Sequence, residues 1–109
     1  MKTLGIRRFS PEYEAVLSAR EPFKTSGSLY GEAGVAWTRG YLPSRFRDEF
    51  VARHDHITYT VVSYATPIAW YDDEYGWIIP DVTYSVSTTR QQGIIRRALS
   101  GAYDTAPRA

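Results

Sequence analysis

The chain lacks cysteine altogether, and it has no apolar run long enough to cross a bilayer. Without cysteine, disulfide bonds, thiol chemistry and zinc fingers are excluded, and a small secreted scaffold held by disulfides is disfavoured. Two arginines, Arg7 and Arg8, stand where a signal peptide would need apolar residues. We therefore expect a cytoplasmic protein that does not enter a membrane.

An excess of charge of either sign is also missing. The formal net charge is +1 at pH 7, and the 13 basic residues include only two lysines, Lys2 and Lys24. A nearly neutral protein attracts nucleic acid weakly as a whole, so such binding needs a local patch. With 109 residues, 43% hydrophobic and 23% charged, the chain is expected to form one domain over residues 1–109, with flexible ends at 1–9 and 102–109.

Two helices are predicted in the first half of the chain. The first begins at Ser10 and Pro11, with Ser10 as its N-cap, and runs to about Arg20. The second begins near Leu42 and carries apolar residues at four-residue spacing. The residues expected to be buried on these helices are Tyr13, Val16, Leu17, Leu42, Phe46 and Phe50, with Val51 beside them.

Between these helices, glycines interrupt the sequence at short intervals. Residues 28–30 and 35–37 are apolar enough to form strands of only a few residues. The glycines on either side favour a mobile loop over residues 23–40.

The longest alternating stretch covers residues 57–70 and predicts one long strand, with a bulge at Pro67 because proline cannot donate a ladder hydrogen bond. Residues 72–76, Asp-Asp-Glu-Tyr-Gly, predict a hairpin loop, and a second strand returns over residues 77–86. Trp70 and Trp77 flank this loop and are expected to pair across it. The pattern predicts an α+β fold whose antiparallel sheet is centred on the hairpin at 57–86, with two or three helices packed on it.

The last helix has the strongest start signal. Thr88 followed by Gln91, and Thr89 followed by Gln92, both have the spacing of a capping box. Gly101 stands where a C-terminal cap is expected. The sequence therefore predicts a helix that begins at these threonines.

Residues 63–70, Ser-Tyr-Ala-Thr-Pro-Ile-Ala-Trp, together with 77–86 and 87–92, resemble a family of small uncharacterised proteins from actinobacteria and their bacteriophages. The resemblance covers the second half of the chain, and the similarity is weaker at residues 20–27 and 42–43. It implies no activity and no cofactor. Members of that family often carry a histidine just before the last glutamine of the helix cap, where this chain has Gln91. If that histidine exchanges protons, Gln91 cannot replace it; if it caps the helix, Gln91 serves equally.

Three sets of polar residues have side chains of the types that bind metals or catalyse reactions, but their spacing does not support either role. His54 and His56 flank Asp55, but this spacing does not place two ligands on one helix face and a third ligand is missing. The acidic residues at 72–74 lack the spacing of a calcium loop, so we interpret them as a solvated hairpin tip. A nucleophile is considered at Ser63, Ser85, Ser87 or Thr88, with His56 as base and Asp81 or Asp55 to orient it, but nothing here resembles a nucleophile elbow. The sequence thus predicts no catalytic residue, no metal ligand and no cofactor.

The leading functional hypothesis is a non-enzymatic accessory protein that binds a protein partner, either a host protein or a second copy. Aromatic residues near the glycine-rich segment and at the hairpin tip are suited to such a contact, because tyrosine and tryptophan are enriched at binding hot spots. The residues expected to form this interface are Trp37, Tyr41 and Tyr75.

The alternative hypothesis is nucleic-acid binding through the last helix. This helix contains arginines and glutamines, with no carboxylate between Thr88 and Tyr103. Arginines in the last turn of a helix also interact with its dipole, so they have a structural explanation as well. The residues expected to contact nucleic acid are Arg90, Gln91, Arg96 and Arg97, and Arg7, Arg8 and Arg39 are considered as additions to this patch.

Overall fold

The computed structural model describes residues 2–5, 10–36, 38, 40, 42–80 and 86–99. Within these residues the fold is α+β, as predicted. Three helices accompany the sheet: α1 (Pro11–Ala19), α2 (Ser44–Ala52) and α3 (Val86–Ala98), and a short 3-10 helix follows α2 (His54–His56). The strands are β1 (Lys2–Leu4), β2 (Phe23–Thr25), β3 (Leu29–Ala33), β4 (Ile57–Ser63), β5 (Thr66–Asp72) and β6 (Gly76–Ile78).

The described strands form one sheet in the order β1-β2-β3-β4-β5-β6, which is antiparallel except for the parallel pair β1–β2. One face is covered by α1 and α3, whose buried residues pack with Tyr59, Val61 and Trp77. The other face is covered by α2. The ring centroids of Phe50 and Trp70 lie 4.8 Å apart there, in an edge-on contact. The two helical layers therefore lie on opposite sides of the sheet.

The predicted strand over residues 57–70 is wrong, because β4 and β5 are two strands joined by a tight turn at Tyr64 and Ala65. Ser63 pairs with Thr66 across this turn, and both turn residues have positive φ, 49° and 64°. Positive φ at both central residues defines a two-residue hairpin turn that favours Asn-Gly. Tyr-Ala carries no such signal. The bulge expected at Pro67 is present as a register shift.

The pairing expected between the two tryptophans is also wrong. Trp70 pairs with Ile78, and Trp77 pairs with Tyr71. Because neighbouring residues on a strand point to opposite faces, a shift of one residue separates the two tryptophans. Trp70 lies under α2, whereas Trp77 lies under α1 and α3.

The segment at 23–40, expected to be a mobile loop, contains the β2–β3 hairpin. Phe23 pairs with Gly31, and Thr25 Oγ1 donates a hydrogen bond of 2.8 Å to the carbonyl of Leu29. The strand expected at 35–37 is not present at Val35 and Ala36, while Trp37 lies outside the described residues. Pairing with the long strand β4 orders β3, which short-range sequence patterns do not reveal.

The helices α1 and α2 agree closely with their predicted positions, but two of their details differ. Ser10 makes no side-chain cap hydrogen bond, and its buried hydroxyl has no hydrogen-bond partner among the residues that the structure describes. Val51, expected on the apolar face of α2, is 43% exposed. In the part of the chain that is described, no helix is both long and apolar enough to cross a membrane.

The last helix begins at Val86, so the predicted capping boxes are wrong. Thr88 and Thr89 lie inside the first turn, and the side chains of Gln91 and Gln92 are directed to the sheet. Val86 was expected to end the returning strand but belongs to the helix. The rest of that strand after residue 80 and the cap at Gly101 lie outside the described residues.

Candidate functional site

The hairpin turn between β5 and β6 is built around a buried carboxylate. Asp72 ends β5 and is 1% exposed, although the sequence suggested a solvated tip. Its Oδ1 accepts hydrogen bonds from the backbone amides of Glu74 (2.8 Å) and Tyr75 (3.0 Å). Such a turn closed by an aspartate side chain is a common device for ordering loops. Gly76 then re-enters the sheet with a φ of 81°.

An arginine from the far end of α2 fixes this turn. Arg53 follows the last residue of α2, and its Nε and a terminal nitrogen donate to the two Asp72 oxygens at 2.8 and 2.9 Å. The same guanidinium donates to Glu74 at 2.6 Å. The two planar groups form a bidentate pair, the strongest type of side-chain ion pair. These hydrogen bonds raise the pKa of Arg53, so it stays charged at all accessible pH values.

The pKa of Asp72 results from two opposing effects. Burial raises it, because a carboxylate loses solvation when it leaves water. The hydrogen bonds from Arg53 and from the amides of Glu74 and Tyr75 outweigh burial, and they hold the pKa of Asp72 below its ordinary value. Asp72 is therefore an ionised structural group rather than a proton donor.

Tyr75 is the one predicted interface residue that lies within the described residues. The guanidinium carbon of Arg53 lies 4.1 Å from the centre of the Tyr75 ring, and the tyrosine is nevertheless 42% exposed. Tyr75 thus contacts a guanidinium and still keeps part of its surface exposed. Trp37 and Tyr41, the other two interface predictions, lie outside the described residues.

The surroundings of Tyr75 are acidic. Residues 53–56 and 72–75 contain one arginine and four carboxylates, which gives a net charge of −3 with both histidines neutral. His56 Nδ1 lies 2.9 Å from Asp73 Oδ1, and Asp73 and Glu74 are more than half exposed. We call the exposed residues Asp73, Glu74 and Tyr75, together with the partly buried Arg53, the Tyr75 surface.

A metal interpretation of this region does not fit its hydrogen bonds. Ligand atoms of His56, Asp72 and Asp73 lie within 4.8 Å of one another. Both oxygens of Asp72, however, are occupied by Arg53 and by backbone amides. A cation bound there would have to displace the Arg53 guanidinium from these oxygens, and it would be repelled by the nearby positive charge. His54 contacts Asp55 and the Val51 carbonyl instead of joining this group.

The residues predicted to bind nucleic acid are divided between the surface and the interior. Arg90 and Arg97 are exposed on α3. Gln91 is 4% exposed, accepts a hydrogen bond from Ser63 and donates one to Ser28. Arg96 donates to the carbonyl of Pro80 at 3.1 Å. Arg7, Arg8 and Arg39, which were considered as additions to this patch, lie outside the described residues.

The buried hydroxyls near α3 do not form a nucleophilic site. Ser63 Oγ lies 3.3 Å from Thr88 Oγ1 and is hydrogen-bonded to Gln91. Neither partner titrates near neutral pH, so no described residue that is hydrogen-bonded to Ser63 can act as its general base. His56, the base considered from the sequence, is instead paired with Asp73. The glutamine at position 91 is thus a packing residue that ties α3 to β4 and to the β2–β3 turn.

Sequence reasoning missed Arg53 and Asp72 as the organising pair of this region. The aspartate at the start of an acidic, glycine-ended loop did indicate a turn, but its partner is 19 residues away. Likewise, the paired glutamines of α3 suggested capping, whereas Gln92 donates to the carbonyls of Ile68 and Pro80 across the core. The sequence signal for this inward orientation is that the two glutamines stand shortly before the buried pair Ile94 and Ile95.

Comparisons with known proteins give a family but no function. Searches of curated proteins and of solved structures found no match. The model of a family of unknown function, DUF8033, matches residues 19–95. This span begins before β2, includes the Arg53–Asp72 pair and ends within α3, and it covers more than half of the chain. The chain therefore belongs to the DUF8033 family of unknown function.

Proposed function

We propose that the protein is a non-enzymatic binding module that contacts a protein partner through the Tyr75 surface. One observation carries the proposal: the Tyr75 ring is held 4.1 Å from the Arg53 guanidinium and remains 42% exposed. In keeping with the resemblance described above, we place this module inside an actinobacterial cell or one infected by a phage.

The fixed position of Tyr75 favours binding for an energetic reason. Ordering a flexible side chain at an interface costs about 0.5–1.5 kcal/mol. Arg53 is itself held by Asp72 and Glu74, so part of the conformational entropy of the Tyr75 ring is already lost on folding rather than on binding. Tyrosine and arginine are also the residue types that most often dominate binding energy. Protein interfaces commonly have an aromatic centre surrounded by polar residues, and the Tyr75 surface has this arrangement.

The polar groups of the described core favour binding over catalysis. Asp72, Ser63, Gln91 and Gln92 are buried, and each has structural hydrogen bonds. Groups that are fully used in holding elements together have no capacity left for a substrate. The side chains that remain available to bind a partner lie at the surface, and they are aromatic or charged.

The test compares two exposed tyrosines in matched variants. Tyr75→Ser is expected to abolish retention of the partner on an affinity column while lowering the melting temperature by only a few degrees. Tyr64→Ser is the control, because Tyr64 is 57% exposed on the β4–β5 turn, a separate hairpin tip. Retention should be unchanged in that variant. Equal retention by both variants, or equal loss, would exclude the Tyr75 surface as the contact.

Nucleic-acid binding through α3 is the second candidate, favoured by the exposure of Arg90 and Arg97 on a helix that has no carboxylate over residues 86–99. Each neutralised phosphate releases counterions, so two contacts predict that log K falls with log salt concentration with a slope of about −2. Arg90→Gln with Arg97→Gln should remove this binding and leave the fold intact. A fluorescence titration of duplex and single-stranded oligonucleotides at low salt that shows no binding would eliminate this candidate.

A further inference from the structure

We infer that the partner of the Tyr75 surface is the exposed face of α3 on a second copy of the same protein, so that copies associate head to tail. This inference rests on the proposed function of the Tyr75 surface and adds the identity of its partner. Three features support it: charge, the shape of the helix face, and the positions of the two surfaces in the fold.

The charges of the two surfaces are complementary. Residues 53–56 and 72–75 carry a net charge of −3, whereas residues 86–99 carry three arginines and no carboxylate. The whole chain has a net charge of only +1, so these two opposite concentrations of charge are local. Complementary patches accelerate encounter and select the partner. A second copy supplies the required cationic surface without any other protein.

The exposed face of α3 can accept a flat ring. Thr89, Gly93 and Arg97 follow one another at four-residue spacing, with Arg90 beside them, and all four are exposed. A Cβ atom added to Gly93 would meet nothing within 4 Å, so packing against the described residues does not explain this glycine. Glycine in a helix interior lowers helix stability, and it leaves the helix backbone open to close approach. Tyr75 of a second copy fits there between Arg90 and Arg97, where cation–π contacts are favourable.

The fold keeps the two surfaces of one copy apart. Arg53 lies at the end of α2, and α2 packs on Trp70 and Ile78. The helix α3 packs on the opposite face of the sheet through Ile94 and Ile95. A copy therefore cannot satisfy its own Tyr75 surface with its own α3. Contact between two different surfaces is heterologous, and it extends into a chain or a ring rather than closing as a symmetric pair.

The experiment uses two variants that each keep one surface. Tyr75→Ser retains the α3 face, and Arg90→Glu with Arg97→Glu retains the Tyr75 surface. Sedimentation velocity at low salt should show species larger than a dimer for the unmodified protein and a monomer for each variant alone. An equimolar mixture of the two variants should form a 1:1 dimer and nothing larger. The intact Tyr75 surface of one variant binds the intact α3 face of the other, and no second pair of intact surfaces remains. Circular dichroism melting verifies that every variant is folded.

Two further measurements sharpen the result. Raising the salt concentration from about 50 to about 500 mM should weaken association by at least about tenfold, since exposed charges are screened over a shorter distance. Tyr64→Ser should associate like the unmodified protein. A monomeric unmodified protein, a mixture that forms no dimer, or variants that associate normally would each overturn the inference. If the unmodified protein is monomeric but still retains another protein through Tyr75, the inference fails while the proposed function stands.

Discussion

Replacing Asp72 with alanine is expected to lower the free energy of unfolding by about 2 to 4 kcal/mol at pH 7. The change removes the acceptor for the amides of Glu74 and Tyr75 and for two nitrogens of Arg53. Because Asp72 is 1% exposed, water does not readily replace these bonds. Urea unfolding followed by tryptophan fluorescence measures the effect.

Asp73→Ala is the matched control for this change. Asp73 is the adjacent carboxylate, its side chain is 52% exposed, and its partner His56 is also partly exposed. Exposed pairs contribute little, so the control should change stability by less than about 1 kcal/mol. Similar effects of the two substitutions would mean that Asp72 does not organise the turn.

The same carboxylate predicts how stability depends on pH. The pKa of Asp72 is lower in the folded chain than in the unfolded one, so its contribution is complete above the ordinary aspartate value of about 3.9. The contribution is lost as the pH falls through the lower, folded value. The difference in stability between the unmodified protein and Asp72→Ala should therefore be largest at pH 7 and shrink below about pH 4. A difference that stays constant down to about pH 2 would contradict this assignment.

Replacing Gly31 with alanine is expected to cost about 2 to 3 kcal/mol, because an added Cβ would lie under 3.0 Å from side-chain atoms of Tyr59 and Phe23. Both rings are fully buried. Tyr59 is also fixed by a hydrogen bond of 2.6 Å from its hydroxyl to the carbonyl of Glu21, so it cannot move aside without losing that bond. Thermal unfolding should show a clear decrease in melting temperature.

Gly93→Ala is expected to change the melting temperature in the opposite direction in the same experiment. The added methyl group meets nothing within 4 Å, and alanine favours the helix by about 1 kcal/mol over glycine. The alanine at position 93 should raise the melting temperature, whereas the alanine at position 31 should lower it. A stable Gly31→Ala variant would mean that β3 and the two rings do not pack as closely as described.

The elements that depend on local signals were predictable from the sequence. The helix start at Pro11, the apolar spacing of Leu42 and Phe50, and the hairpin loop ending in Gly76 all appear where the residues indicate. Each depends on a residue that restricts its own backbone or on a periodic pattern of burial. Such signals extend over one or two turns of chain.

The remaining features depend on contacts between distant residues or on strain. The Tyr64–Ala65 turn has two non-glycine residues with positive φ, a conformation that pairing of β4 with β5 imposes against local preference. The Arg53–Asp72 pair and the Gln91 contacts to Ser28 and Ser63 join residues 19 to 63 positions apart. The sequence shows these residues as polar, but it does not show which of them are buried.

Tyr75, rather than another exposed aromatic residue, is expected to form the contact between copies. The most direct measurement is an NMR titration in which protein with ¹³C-labelled tyrosine is mixed with increasing amounts of the unlabelled protein. We expect the ring resonances of Tyr75 to shift and broaden with concentration, while those of Tyr64 remain constant. Shifts at Tyr64 with an unchanged Tyr75 would contradict it.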